Sequence, residues 1–297
     1  MADTPKTATL TIGDTTLDLP IHSPTLGPDV LDIRKLYAQG KVFTYDPGFT
    51  STAACDSAIT YIDGDEGILR YRGYSIDDIA ENSTFLEVAW LLIRGELPTA
   101  SELSEFDNKI RHHTLLHEDL KRLFDALPHS AHPMSVLSSA VSAMSTYYGD
   151  SLSVNDPEQI EISTIRLLAK LPVIAAYAHK KSVGQAFLYP DNSRGFVENF
   201  LWLNFGLMAE PYVSNPVLVK ALDRLLILHE DHEQNASTST VRMVGSTEAN
   251  LFASISAGIN ALSGPLHGGA NEAVLSMLAD IRDSGEGVER FVERVKR

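Results

Sequence analysis

The spacing of apolar residues changes near Ser75, and this change limits the folds that the chain can adopt. Before it, TATLTIGDTTLDLPI and AITYIDGDEGILRYRGY alternate apolar and polar residues on either side of positions 13–14 and 63–67, which is typical of two β-hairpins. After it, apolar residues recur at the spacing of an α-helix. The sequence therefore predicts a mainly α fold, with a small β-rich N-terminal region at residues 1–74 and a large multi-helix domain at 75–297.

In residues 75–297, residue types that typically begin or end helices separate several predicted helices. Ser83 or Thr84 can cap a helix whose apolar stripe ends before Gly95. Residues 249–262 combine apolar and small side chains on one stripe, which favours a buried helix in a layered bundle. Other helices are predicted at about residues 100–127, 133–148, 158–180, 194–208 and 216–231.

Charge and composition exclude several classes of protein. The 297 residues include 24 basic and 39 acidic side chains, and the net charge of −15 would repel nucleic acid and anionic lipid over most of the surface. The chain has no apolar run long enough to span a membrane, and its first residues, MADTPKTATL, lack the features of a signal peptide. The single Cys55 fits a reducing compartment. We therefore expect a cytoplasmic protein with no nucleic-acid or membrane partner.

His229 and His232 lie three positions apart in an acidic run, where they could share one helix face and bind a metal. Zinc-protease motifs need histidines four apart, so this spacing does not match them. A polar helix end is the simpler interpretation, and no metal site is predicted. The same interpretation, a solvated helix position, is given to His112, His113 and His117.

His267 is a stronger candidate for function. It follows the chain-turning pair at positions 264–265 and precedes two glycines and the segment ANEAVLSML, which is typical of a helix start. The positive end of the helix dipole favours a neutral imidazole there, able to donate a hydrogen bond to an oxygen that develops negative charge. The glycines would leave room for a ligand. A structural turn is the alternative.

Four segments together resemble the citrate synthase family, and specifically its Gram-negative, type II branch. They are ITYIDGDEGILRYRGYSIDDIA, FLEVAWLLIRGELP, LHEDHEQNASTSTVRMVGS and SGPLHGGANEAVL. The similarity runs in order and spacing from about residue 25 to about residue 280. It implies an enzyme that condenses acetyl-CoA with oxaloacetate to give citrate and CoA, without a resident cofactor.

The resemblance also implies roles for individual residues. His267, in the GPLHG motif, would be catalytic and would hydrogen-bond the thioester oxygen, which agrees with the neutral-donor argument. His232 would bind oxaloacetate, with Asn235 and Ser237 in a supporting loop that orients the histidines. His229 would have a supporting role at most.

The family pattern continues beyond position 297 with a further histidine, an aspartate that acts as the base, and arginines that hold the substrate carboxylates. None of these has a counterpart in this chain, which ends in an amphipathic pattern, GVERFVERVKR. We therefore expect a chain that lacks roughly the last third of the family pattern, including a small C-terminal domain, and that is inactive by itself.

Gram-negative members of the family are often hexamers inhibited by NADH, so the resemblance implies self-association as a homodimer or a hexamer. Two positions of the family's NADH site differ, because His112 replaces an arginine and Ala209 replaces a reactive cysteine. We expect weak NADH binding or none. The positions that match are His113, Thr114, Tyr148, Arg166 and Lys170.

Two other functions stay open. A 2-methylcitrate synthase would use propionyl-CoA with the same histidines, and one methylene gives only about 1–3 kcal/mol of discrimination. The loop EDHEQNASTST is more similar to the citrate enzymes. The chain could instead be a non-catalytic nucleotide-binding or assembly subunit that ends at position 297.

Overall fold

The computed structural model describes residues 6–285 and 287–296, and its strands all lie in the first quarter of the chain. They form two three-stranded antiparallel sheets, β1–β2–β3 and β4–β5–β6. The register pairs Ile12 with Thr15 and Asp63 with Ile68, so both predicted hairpins are confirmed. The strands are β1 (Thr7–Ile12), β2 (Thr15–His22), β3 (Val30–Leu31), β4 (Thr60–Asp63), β5 (Ile68–Tyr71) and β6 (Tyr74–Ser75).

Helices make up most of the remaining described chain, which confirms the mainly α fold class. The boundary at residue 74 between two domains stays a prediction. The helices are α1 (Leu36–Gly40), α2 (Ile76–Asn82), α3 (Phe85–Arg94), α4 (Ala100–Arg111), α5 (Lys121–Ala126), α6 (Pro133–Met144), α7 (Pro157–Ser182), α8 (Phe196–Phe205), α9 (Pro216–Leu228), α10 (Ala236–Gly245), α11 (Leu251–Leu262), α12 (Gly269–Ser284) and α13 (Val288–Val295).

Helix ends follow the capping chemistry of the sequence. Thr84 caps α3 in a capping box with Glu87, and Gly95 ends the helix with φ 97°, a left-handed conformation that suits glycine. Helices α6, α7 and α9 begin with proline, whose missing N–H costs nothing in the first turn. These local signals explain why most helix starts are predicted within one or two residues.

The helix predicted at 100–127 is wrong as a single element. Helix α4 ends at Arg111, a 3-10 turn occupies Glu118–Leu120, and α5 follows. The segment between α4 and α5 contains His113 and Leu115. Their carbonyl oxygens both accept hydrogen bonds from the ammonium group of Lys170, which lies on α7.

Helix α10 is absent from the sequence prediction, which treated Asn235 and Ser237 as part of a loop. Serine and threonine are weak helix formers because their hydroxyls compete for backbone groups, and Thr240 donates to the Ala236 carbonyl at 2.7 Å. The packing of α10 against α11 stabilises α10 despite this weak intrinsic preference for a helix. A Cβ on Gly258 would come within 2.6 Å of the Val241 side chain, so the two helices cross closely at this glycine.

The largest core cluster surrounds α7, against which α6, α8 and α11 pack. Helix α11 is buried as predicted, with Phe252 fully enclosed. Because α10 lies across α11, the first turn of α10 is brought close to the segment that follows the end of α11. In the part of the chain that the structure describes, no helix is long and apolar enough to cross a membrane.

Candidate active site

Ser237 and His267 meet across the crossing of α10 and α11. Ser237 lies in the first turn of α10, and its Oγ is 3.0 Å from Nε2 of His267. Asn235 caps the same helix, because its side-chain oxygen accepts a hydrogen bond from the Thr238 amide at 2.9 Å. Its side-chain nitrogen lies 3.4 Å from the His232 carbonyl oxygen. The four residues predicted for the site thus form two hydrogen-bonded pairs, Ser237 with His267 and Asn235 with His232, on either side of the start of α10.

A compact turn holds His267 immediately before α12. The Gly264 carbonyl accepts from the amides of His267 and Gly269, at 3.0 and 3.1 Å. A Cβ on Gly268 would lie 2.5 Å from the Leu262 carbonyl oxygen, and one on Gly269 would lie 2.9 Å from that of Gly264. The glycines therefore let the backbone fold back on itself. That they also leave room for a ligand stays a prediction.

The His267 ring is partly buried and stands two residues before the first residue of α12, as predicted from the sequence. A serine hydroxyl can donate to Nε2, which leaves the hydrogen on Nδ1. Among the described residues, no hydrogen bond to Nδ1 is present. In that tautomer the arrangement offers one N–H donor for an external acceptor, beside the positive end of a helix.

His232 and His229 differ in their environment. His232 is exposed and lies in the turn between α9 and α10, where a substrate could reach it. His229 ends α9, and its Nδ1 lies 2.7 Å from the Leu225 carbonyl oxygen, which gives it a helix-capping contact. Within residues 6–285 and 287–296, no three histidine, cysteine, aspartate or glutamate side chains are grouped so as to hold a metal ion.

Glu230, which the sequence places in a polar helix end, is partly buried, and its carboxyl group is enclosed. Both carboxyl oxygens are shielded from solvent and have no hydrogen-bond partner among the described residues. Burial raises its pKa to about 9, and the neighbouring Asp223 and Asp231 add to the effect. No sequence signal distinguishes it from the exposed acids beside it, because burial depends on the tertiary packing of the α9 end.

The residues that match the family's NADH positions also come together. The guanidinium of Arg166 lies 4.3 Å from the centroid of the Tyr148 ring, and the Lys170 nitrogen lies 5.5 Å from the same centroid. Lys170 donates to the His113 carbonyl at 2.5 Å. Thr114 is buried, and its hydroxyl donates to the Arg111 carbonyl. The five predicted positions thus form one connected cluster.

Several donors in this cluster are already used within the protein. Burial lowers the pKa of Lys170 to about 8, with a further contribution from Arg166, and two backbone carbonyls accept from its ammonium group. Arg166 donates to Ser151 at 2.5 Å and to Asp150 at 3.3 Å. Lys170 therefore supports the fold between α4 and α5, a role that the sequence did not indicate.

Of the three histidines interpreted as solvated helix positions, two are exposed as predicted, and all three lie at or beside helix ends. His112 is exposed at the C-cap of α4, and His117 is exposed and caps the 3-10 turn. His113 is partly buried, with Nδ1 lying 2.7 Å from the Lys109 carbonyl oxygen. Ala209 is exposed in the turn that follows α8. Neither His112 nor Ala209 can supply the forked donor of an arginine or the thiol of a cysteine.

Residues 48–297 match the family model described as "Citrate synthase, C-terminal domain". Citrate synthase 1 of Mycobacterium tuberculosis is 63% identical over 296 residues, which cover 100% of this chain and 69% of that protein. The citrate synthase of Corynebacterium glutamicum is 55% identical over 280 residues, 94% of this chain and 64% of its own length.

Solved structures show the same relation. Citrate synthase from Pyrobaculum aerophilum superposes with a TM-score of 0.72 at 36% identity, over 80% of this chain and 61% of the other. Citrate synthase from Thermoplasma acidophilum, in a ternary complex with carboxymethyl coenzyme A and oxaloacetate, gives a TM-score of 0.73 at 27% identity, over 79% and 60% of the two chains. This chain thus spans between 60% and 69% of the relatives described. With the family match covering most of its length, the chain belongs to the citrate synthase family.

Proposed function

We propose that this chain carries part of the active site of an enzyme that condenses acetyl-CoA with oxaloacetate, giving citrate and CoA. The observation that carries the proposal is the contact between Ser237 and His267, which holds an imidazole at the start of α12 with Nδ1 available. The family membership and the exposed His232 in the adjacent turn support it.

The proposed chemistry follows from the acidity of the substrate. A thioester methyl group is a far weaker acid than any side-chain base, so the enolate must be stabilised while it forms. His267 would donate its Nδ1 hydrogen to the thioester oxygen, and the Ser237 hydroxyl would fix that tautomer through Nε2. His232 would hydrogen-bond oxaloacetate. The base and the carboxylate-binding arginines would come from residues other than these four.

Substitution of the two histidines tests the proposal in a chain continued to the length of its relatives. We expect His267→Ala to lower kcat by at least about a hundredfold, the usual effect of losing an oxyanion donor. We expect His232→Ala to weaken oxaloacetate binding by about 1.5–3 kcal/mol in calorimetry. His22→Ala, at an exposed histidine in β2, is the control. Unchanged turnover in His267→Ala would refute the assignment.

The alternative substrate, propionyl-CoA, belongs to the 2-methylcitrate reaction. The same histidines would serve both reactions, so the site residues alone do not separate them. The ratio of kcat/KM for acetyl-CoA and propionyl-CoA, measured in the same assay, decides between the two substrates. A non-catalytic nucleotide-binding or assembly role is the second alternative, and turnover by the continued chain would exclude it.

We also propose that NADH binds weakly or not at all. The donors of Lys170 and Arg166 are engaged by protein oxygens, and an exposed imidazole stands at position 112 in place of a guanidinium. A low-micromolar dissociation constant would contradict this.

The remaining features are proposals drawn from the family resemblance. They are the Gram-negative type, self-association as a homodimer or a hexamer, the absence of a resident cofactor and the inactivity of the 297-residue chain by itself. A cytoplasmic location is proposed separately, from the single Cys55, which fits a reducing compartment. The two curated relatives described above come from Mycobacterium and Corynebacterium, so support for the Gram-negative type rests on the sequence motifs alone.

A further inference from the structure

The turn that contains His232 is hydrogen-bonded to the β4–β5 hairpin, which lies more than 150 positions earlier in the sequence. The Ile62 amide donates to Oε1 of Glu233 at 2.8 Å. The hydroxyl of Tyr71 lies 2.9 Å from the Asp231 carbonyl oxygen and accepts from the Asp231 amide at 3.2 Å. The hairpin therefore holds the residue before His232 and the residue after it.

Tyr71 is well suited to a fixed contact. Its side chain is fully buried, in a cluster with Ile79, Val88, Leu91 and Ile227. Burial raises its pKa, so the phenol keeps its hydrogen and stays a donor. A ring held on all sides cannot follow the turn if the turn moves, so the hydroxyl is a fixed reference point for the Asp231 backbone.

Glu233 adopts a backbone conformation that non-glycine residues rarely adopt. Its φ is 52°, in the left-handed region. Two hydrogen bonds hold it there, since its amide donates to Oδ2 of Asp231 at 3.0 Å and its carboxylate accepts from Ile62. This conformation turns the chain directly after His232, so the bonds of Glu233 help to set the direction of the imidazole.

We propose that Tyr71 and Glu233 are positioning residues for His232, and that the β4–β5 hairpin fixes the oxaloacetate-binding turn from a distance. The inference rests on the proposed function of His232. Neither residue needs to touch the substrate. Each one restrains the backbone on one side of the histidine, and loss of either restraint would let the ring move between directions that do and do not reach the ligand.

The test measures oxaloacetate binding and turnover in the chain continued to the length of its relatives. Tyr71→Phe removes only the hydroxyl, and Glu233→Ala removes the acceptor for the Ile62 amide. We expect each to raise the oxaloacetate dissociation constant about tenfold, the usual effect of losing one hydrogen bond, while kcat at saturating oxaloacetate changes less than threefold. Hydrogen exchange at residues 231–233 should become faster in both.

Matched variants separate positioning from general destabilisation. Tyr177→Phe alters another buried tyrosine, in α7, and should leave oxaloacetate binding unchanged. Glu233→Gln keeps an oxygen acceptor and should restore most of the affinity that Glu233→Ala loses. Glu233→Gly relieves the left-handed backbone without restoring the hydrogen bond, and its affinity should stay low.

Two results would overturn the inference. Parent-like oxaloacetate affinity in Tyr71→Phe and Glu233→Ala would show that the hairpin does not position His232. An equal loss of affinity in Tyr177→Phe would show a general effect of weakened packing. Failure of the proposed function is distinguishable, because then the unsubstituted chain would neither bind oxaloacetate nor respond to His232→Ala.

Discussion

Glu230 contributes to the pH dependence of stability through a single buried carboxyl group. Its buried carboxyl group keeps a proton that the unfolded chain releases above the ordinary pKa of 4.5, and the folded pKa is about 9. The folded state therefore binds more protons than the unfolded state between these values, and stability falls as pH rises through that window. Each pKa unit of difference corresponds to about 1.4 kcal/mol.

We expect Glu230→Gln to remove this part of the pH dependence, because an amide has the same shape and does not ionise. The free energy of unfolding of the variant should exceed that of the parent at pH 8 by more than it does at pH 5. Urea unfolding at both values measures the difference. Parallel pH profiles of parent and variant would show that Glu230 does not carry the effect.

The crossing of α10 and α11 decides whether Ser237 reaches His267. Gly258 lets the helices approach, and an added Cβ would lie 2.6 Å from the Val241 side chain and 3.5 Å from the Ser237 carbonyl oxygen. We expect Gly258→Ala to lower the free energy of unfolding by about 1–3 kcal/mol, the usual cost of overpacking, and to reduce turnover by displacing Ser237.

Gly245→Ala is the matched control, because that glycine ends α10 and a Cβ there would meet nothing closer than the Ser254 hydroxyl at 3.9 Å. Its stability should equal or exceed that of the parent, since alanine favours a helix. A Gly258→Ala chain as stable and active as the Gly245→Ala chain would contradict the close-crossing argument.

Elements with local signals could be predicted from the sequence, and those that depend on distant contacts could not. The hairpin turn at positions 13–14 and the Thr84 cap are encoded by adjacent residues. Helix α10 was missed because its hydroxyl-rich sequence is stabilised by α11. The break after α4 was missed because the partner of its carbonyls, Lys170, lies on another helix.

The candidate site follows the same rule. The motif around His267 indicated a turn before a helix, and the resemblance supplied Ser237 as a supporting residue. The contact of Tyr71 with Asp231 joins positions 160 apart, and no spacing in the sequence indicates it. The burial of Glu230 was equally invisible, since its neighbours in the sequence are polar.

At the scale of the whole molecule, the exposed surface of the last two helices, α12 and α13, bears on whether the chain associates. No side chain of α12 or α13 is fully buried among the described residues. Their exposed apolar side chains are Val274, Leu275, Leu278, Val288, Val292 and Val295. Such surface is costly in water at roughly 25 cal/mol per Å², and it favours association.

We therefore expect the 297-residue chain by itself to release no CoA from acetyl-CoA and oxaloacetate, and to self-associate. A thiol assay and light scattering on the purified chain measure both. The four predicted site residues include no base for the methyl proton, so donors alone would have no enolate to stabilise. Turnover by a dispersed sample would show that the catalytic groups are misplaced.

The side-chain amide of Asn235 makes two contacts with different consequences. Its side-chain oxygen caps the N-terminus of α10, and its side-chain nitrogen lies within hydrogen-bonding distance of the His232 carbonyl oxygen. Aspartate would keep the first contact and lose the second, while alanine would lose both. Alanine at this position would therefore give a folding defect and a recognition defect together, which an activity assay alone could not tell apart, whereas aspartate would keep the helix cap.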